Sequence, residues 1–206
     1  MKEVDVADAH EMAPERAGSW LVPVVRGTLA LVPSAVITFS QDHSPALGLT
    51  VFGAWAVVSG VVVGALSARL VADRVARWAA VAVGIATAAA GLVALALRDT
   101  ASNGVRAFTF TVAVWAAVTG IVELLAGLRL RGRTPAARDW IAAGALTALL
   151  ALVFVLLPLD PVTAVGLLGA YLVVLGVLLL IGGFSMKWAA SEPVEAGDAA
   201  SGTERS

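Results

Sequence analysis

The chain has 206 residues, a formal net charge of −1, no cysteine, 59% apolar residues and only 14% charged ones. Near-neutral charge removes any bulk attraction to nucleic acid, and the lack of cysteine excludes disulfides, thiolate catalysis and cysteine-metal sites. Soluble domains carry about 25% charged residues; here the few charges crowd into the tails and short segments, the pattern of a polytopic helical membrane protein whose main partner is the lipid bilayer.

Residues 1–19, "MKEVDVADAHEMAPERAGS", are polar and acid-rich. They lack the basic start and apolar run of a cleavable signal peptide and read as a disordered tail. Six apolar segments follow, at 20–40, 46–67, 78–97, 107–128, 140–158 and 162–184. Each is long enough to cross a hydrocarbon core of about 30 Å at about 1.5 Å per residue. None alternates apolar with polar residues, so strands are not expected. Residues 189–206 form a second disordered tail, leaving 20–188 as an all-α, six-helix transmembrane domain.

The first segment holds Trp20, Arg26, Gly27 and Ser34, with Pro23 and Pro33 expected to bend it. "SQDHSP", with His43, reads as an ordinary polar turn before Pro45. The second segment carries "FGAWAVVSG", with Gly53, Trp55 and Gly60. "SARLVADRVAR" then brings Arg69, Arg74 and Arg77, and the third segment opens at Trp78 and contains Gly84 and Gly91. Past "RDTASNGVR", with Arg98 and Arg106, the fourth segment carries "VAVWAAVTG", with Trp115 and Gly120, then Glu123 and Gly127. "RLRGRTPAARD" holds Arg129, Arg131, Arg133 and Arg138; the fifth segment opens at Trp140 and contains Gly144 and Ala151. Pro158 and Pro161 bracket a stop and restart, and the sixth segment carries "LGAYLVVLG", with Gly169, Tyr171 and Gly176, before Trp188 just past its end.

Basic residues gather after the second and fourth segments, so the positive-inside rule puts that side, and both termini, in the cytoplasm. Arg98 and Arg106 run against this trend but are outnumbered. Trp20, Trp78, Trp140 and Trp188 stand on the same side and read as an interfacial belt.

The aromatic-glycine phrases form a repeat. Trp55, Trp115 and Tyr171 are each followed five residues later by Gly60, Gly120 and Gly176. Small residues also recur seven apart, as Gly27 with Ser34, Gly53 with Gly60, Gly84 with Gly91, Gly120 with Gly127, Gly144 with Ala151 and Gly169 with Gly176. Seven residues is close to two helical turns, so each pair shares a face and lets another helix approach. The repeat unit reads as a hairpin of two spans, present three times in parallel, at about 20–67, 78–128 and 140–184. "SGVVVG", from Gly60 to Gly64, is a formal GxxxG; packing within the chain is its first reading and a homo-oligomer face its second.

Arg26 and Glu123 are the ionisable residues inside the spans, at similar depth from one interface and of opposite sign. They read as a candidate intramembrane ion pair. The alternatives are an Arg26 that snorkels to the interface and a protonated Glu123 in a proton relay. Ser34, Thr38, Ser59, Thr87, Thr119 and Thr147 are each expected to bond a carbonyl one turn earlier. The chain shows no phosphate loop, no metal-ligand spacing and no nucleophile-base pair, so no catalytic residue, cofactor, metal or small-molecule ligand is expected.

"VVRGTLALV", with Arg26 and Gly27, together with "FGAWAVVSG" and "LGAYLVVLG", resembles the HdeD family of bacterial membrane proteins. The resemblance extends over nearly all of 20–188 and implies a six-helix inner-membrane protein with a part in acid or envelope stress resistance. "RDTASNGVR" departs from the pattern by lacking the proline of the other outer turns. The first functional reading is therefore a non-enzymatic membrane protein of this type; the alternative is a small proton or solute transporter or channel using Glu123 and Arg26.

Overall fold

Helix starts follow the local chemistry. The computed structural model describes residues 18–99, 104–132, 134 and 136–191; most of the two tails, read from the sequence as disordered, lies outside the described residues. Among the described residues the regular elements are six α-helices: α1 (Leu21–Phe39), α2 (Pro45–Leu70), α3 (Arg74–Leu97), α4 (Gly104–Leu130), α5 (Ala137–Leu156) and α6 (Pro161–Ser191). All six are long and apolar enough to cross a membrane. The chain is a multi-pass membrane protein.

Ser44 caps α2 by accepting from the Leu47 amide, and Pro45 takes the first helical position, where its missing N–H is not needed. Asp73 caps α3 through the Ala76 amide at 2.9 Å. Asp160 opens α6, accepting from the amides of Val162 and Thr163 and from the Thr163 hydroxyl. Gly132, at φ 79°, supplies the left-handed residue beyond the end of α4. Pro33 lies in the interior of α1, whereas Pro23 lies in its first turn, where a proline costs no backbone hydrogen bond. α6 runs to Ser191, so Trp188 stands inside that helix rather than past it.

The helices form an inner trio, α2, α4 and α6, surrounded by an outer trio, α1, α3 and α5. Half or more of each inner span is buried, against about a third or less of each outer one. The most extensive contacts join α2 to α3, α4 to α5, and α6 to α1. The closest packing therefore lies between neighbouring hairpins rather than within them. The closely packed pairs are not the hairpins α1–α2, α3–α4 and α5–α6 but the pairs one helix out of step. A glycine stripe on every helix fits either neighbour in the chain, so spacing alone could not choose between them.

Glycines make the pairs. A methyl group built at Gly84 would sit 2.7 Å from the Gly60 oxygen and 2.9 Å from the Gly64 Cα. At Gly144 it would lie 2.5 Å from the Leu124 nitrogen, and at Gly27 2.8 Å from the Gly176 oxygen. Gly60–Gly84, Gly120–Gly144 and Gly176–Gly27 are thus one contact made three times. Two turns away in each direction the register continues, with Gly53 against Gly91, Gly127 against Ala137 and Ile141, and Gly183 against the Trp20 oxygen. The GxxxG of α2 is spent inside the molecule, on α3. Gly169 receives Ile37 of α1.

Two predictions follow from these contacts. Gly144→Ala forces a methyl onto the α4 backbone and should cost about 1–3 kcal/mol. Gly166→Ala meets nothing within 4 Å and should stay within about 0.5 kcal/mol of the parent. Detergent unfolding midpoints of the two variants compare them directly. Asp160 is held below its ordinary carboxylate range, first by the hydrogen bond from the Thr163 hydroxyl and then by that from the Thr163 amide. A lowered folded-state value means that this cap stabilises α6 above the unfolded value, about pH 4, and is lost as pH falls through the folded one. Asp160→Ala should therefore lower the melting temperature at neutral pH, and the difference should shrink as acidification passes below about pH 4.

Candidate functional site

The three repeat aromatics converge on one central seam. Trp55 and Trp115 meet edge to face with centroids 5.5 Å apart and planes at 87°. Trp115 and Tyr171 do the same at 6.1 Å and 80°. Phe52 fills the remaining side, 5.9 Å from Trp55 and 5.2 Å from Trp115. Edge-to-face contacts set positive ring edges against negative faces, so the seam is attractive beyond its buried area.

Their polar atoms are satisfied by the outer helices. The Trp115 indole N–H donates to the Thr87 hydroxyl of α3 at 3.0 Å. The Thr147 hydroxyl of α5 donates to the Ala143 carbonyl at 2.7 Å, so its single proton is spent. The Tyr171 hydroxyl, 2.8 Å away, must then be the donor to Thr147. Thr119 and Thr38 bond carbonyls four residues earlier and Ser34 one three residues earlier. Thr147 accepts from Tyr171 in addition to the carbonyl bond expected of it, while Thr87 accepts from the Trp115 indole.

The third member breaks the pattern. Thr87 and Thr147 stand three residues after Gly84 and Gly144; the matching position after Gly27 is Ala30, fully buried and without a hydroxyl. The Trp55 indole N–H is correspondingly a buried donor with no partner among the described residues.

On the arginine-rich side of the seam, the Arg26 Nη2 of α1 donates to the Glu123 Oε1 of α4. The pair crosses the bundle from an outer to an inner helix and joins residues 97 apart in the chain. Glu123 has 1% of its side chain exposed, Arg26 19%. Glu123 Oε2 is buried with no hydrogen-bond partner among the described residues. Tyr171 lies within electrostatic reach of both charges. The pair has no counterpart in the other two sectors: Val63 and Leu179 take the place of Glu123, and Val83 and Ala143 that of Arg26, all by the glycine register. Breaking such a pair leaves one charge buried alone, a cost of about 3–5 kcal/mol.

A protein-family model described as "Short repeat of unknown function (DUF308)" matches residues 103–157. That stretch, about a quarter of the chain, is α4 followed by α5. The matched repeat therefore coincides with one of the three closely packed pairs. No curated protein and no solved structure matches the chain.

The tryptophans proposed as a belt divide. Trp78 and Trp188 are exposed, the latter beside Phe184 at 6.5 Å. Trp20 and Trp140 are half-buried, and the Lys187 ammonium lies 4.8 Å over the Trp20 ring. Gly183 was not singled out from the sequence, although it continues the spacing of seven beyond Gly176.

The missing hydroxyl gives a test. Ala30→Ser should offer Trp55 an acceptor and raise stability by about 1 kcal/mol. In a Trp55→Phe background the same serine should give no gain. An equal shift in both backgrounds would show that the serine acts elsewhere.

Proposed function

We propose that the protein is a non-enzymatic integral membrane protein of HdeD type, placed in a bacterial inner membrane with both termini in the cytoplasm and acting in acid or envelope stress resistance. The observation that carries this reading is the closed centre of the bundle. Phe52, Trp55, Trp115 and Tyr171 fill the axis where a pore or substrate pocket would run. The hydroxyls around them, on Thr87, Thr119, Thr147 and Tyr171, already bond an indole, a backbone carbonyl or one another. The match to the short repeat and its recurrence in the glycine register support the family assignment. The arginine-rich linkers around Arg69–Arg77 and Arg129–Arg138 support the orientation.

One observation favours a second reading, a proton-conducting protein: the buried, unpartnered Oε2 of Glu123 offers a proton a position inside the membrane. Liposomes loaded with a pH dye separate the two. The first reading expects no proton flux above that of empty liposomes; a flux that Glu123→Gln abolishes would replace it with the second. A deletion strain should survive acid challenge less well than its parent, with survival restored by the wild-type chain. Unchanged survival under both acid and envelope stress would remove the stress role.

A further inference from the structure

We infer that α1 is a releasable arm of the bundle, held by the ionised Arg26–Glu123 pair and freed when Glu123 takes up a proton. The inference rests on reading the pair as the internal control element of a stress-related membrane protein, but its readout is a distance and not survival.

Three observations carry it. The first is connectivity. Two of the three closely packed pairs, α2–α3 and α4–α5, are joined directly by short linkers. The third, α6–α1, brings together elements at opposite ends of the element order, so no such linker holds them. Towards α2, α1 is joined through residues 40–44, at the far end from Arg26. The second is composition. α1 is the least buried span, carries Pro33 in its interior, and lacks the hydroxyl with which α3 and α5 grip the central aromatics. The third is the placement of charge. The one ion pair between helices among the described residues ties α1 to α4, and the positions matching Arg26 and Glu123 on the other helices are apolar. α1 thus has a charge link to the bundle, whereas α3 and α5 have a short peptide link to their closest partners.

Glu123 is a suitable trigger. Its Oε1 holds Arg26, and its buried Oε2 faces no competing donor, so a proton has a position to occupy. Arg26 from α1 and Tyr171 from α6 are the charged or titratable groups set against it. The ionisable residues of α2, α3 and α5, namely Arg69, Arg74, Arg77, Arg138 and Asp139, all stand in the terminal turns at the arginine-rich end. Once Glu123 is neutral, Arg26 is a charge in apolar surroundings without a counter-charge. It lies five residues past the start of α1, about 7–8 Å at about 1.5 Å per residue, within reach of the interface if the helix tilts. Moving α1 is then the way to relieve the charge.

The chain has no cysteine, so pairs of spin labels can be introduced without removing native residues. Labels at Val32 on α1 and Val118 on α4, both exposed, report on the arm; labels at Val118 and Leu149 on α5 serve as control. In reconstituted wild-type protein the arm distance should be narrow at neutral pH and become longer and broader on acidification, while the control pair stays fixed. Glu123→Gln should give the broad distribution at both pH values. Arg26→Glu combined with Glu123→Arg should restore the narrow one at neutral pH. A narrow wild-type arm distance at both pH values, or a Glu123→Gln distribution identical to wild type, overturns the proposal. If Glu123→Gln yields no folded protein, the wild-type arm measured against its control decides alone. A survival defect without movement of the arm would leave the stress role standing and remove the switch.

Discussion

Inside a bilayer, two helices gain nothing by hiding leucine from lipid, because lipid is as apolar as leucine. Association depends on backbones coming close enough for dense dispersion contact, and that requires side chains to vanish along one stripe. Gly27, Gly60, Gly84, Gly120, Gly144 and Gly176 provide that stripe, and their carbonyls and amides lie where a Cβ would otherwise be. The pairing of the helices, the crowding of the inner trio and the meeting of the aromatics all follow from these contacts. With α2, α4 and α6 each packed against an outer partner, one further face of each turns to the other two, where their aromatics meet. Trp55, Trp115 and Tyr171 are what those faces carry.

The threefold plan is kept in the glycines and relaxed in the polar groups. Thr87 and Thr147 anchor two of the three aromatics, and Ala30 leaves the third without an acceptor. Arg26 and Glu123 place a single charge pair between α1 and α4. Both departures involve α1.

Much of this was legible in the residues. Six long apolar runs fixed the number of helices, since no other element satisfies its backbone in lipid over that length. The spacing of seven exposed the packing stripes, and equal depth with opposite sign pointed to Arg26 and Glu123. Which helices pair was not legible, because Gly84 faces α2 or α4 equally well on spacing alone. The side-chain roles of Thr87 and Thr147 were also hidden. A threonine that bonds its own helix and one that receives an indole N–H have the same sequence signature, and only the position of Trp115 distinguishes them. The sixth apolar segment ends at 184 but α6 runs on to Ser191, because a helix can continue beyond the apolar slab.

The separation of Arg26 from Glu123 along the chain also has a consequence in time. At synthesis rates of about 5–20 residues per second, the 97 residues between them take roughly 5–20 s to appear. During that interval α1 sits at the membrane carrying a positive charge whose partner has not yet been made. Arg26 is near enough to the helix end to wait in the headgroup layer, and an arginine at mid-span would have no such refuge. The depth of that one residue therefore suits the order in which the ribosome delivers the helices as well as the finished bundle.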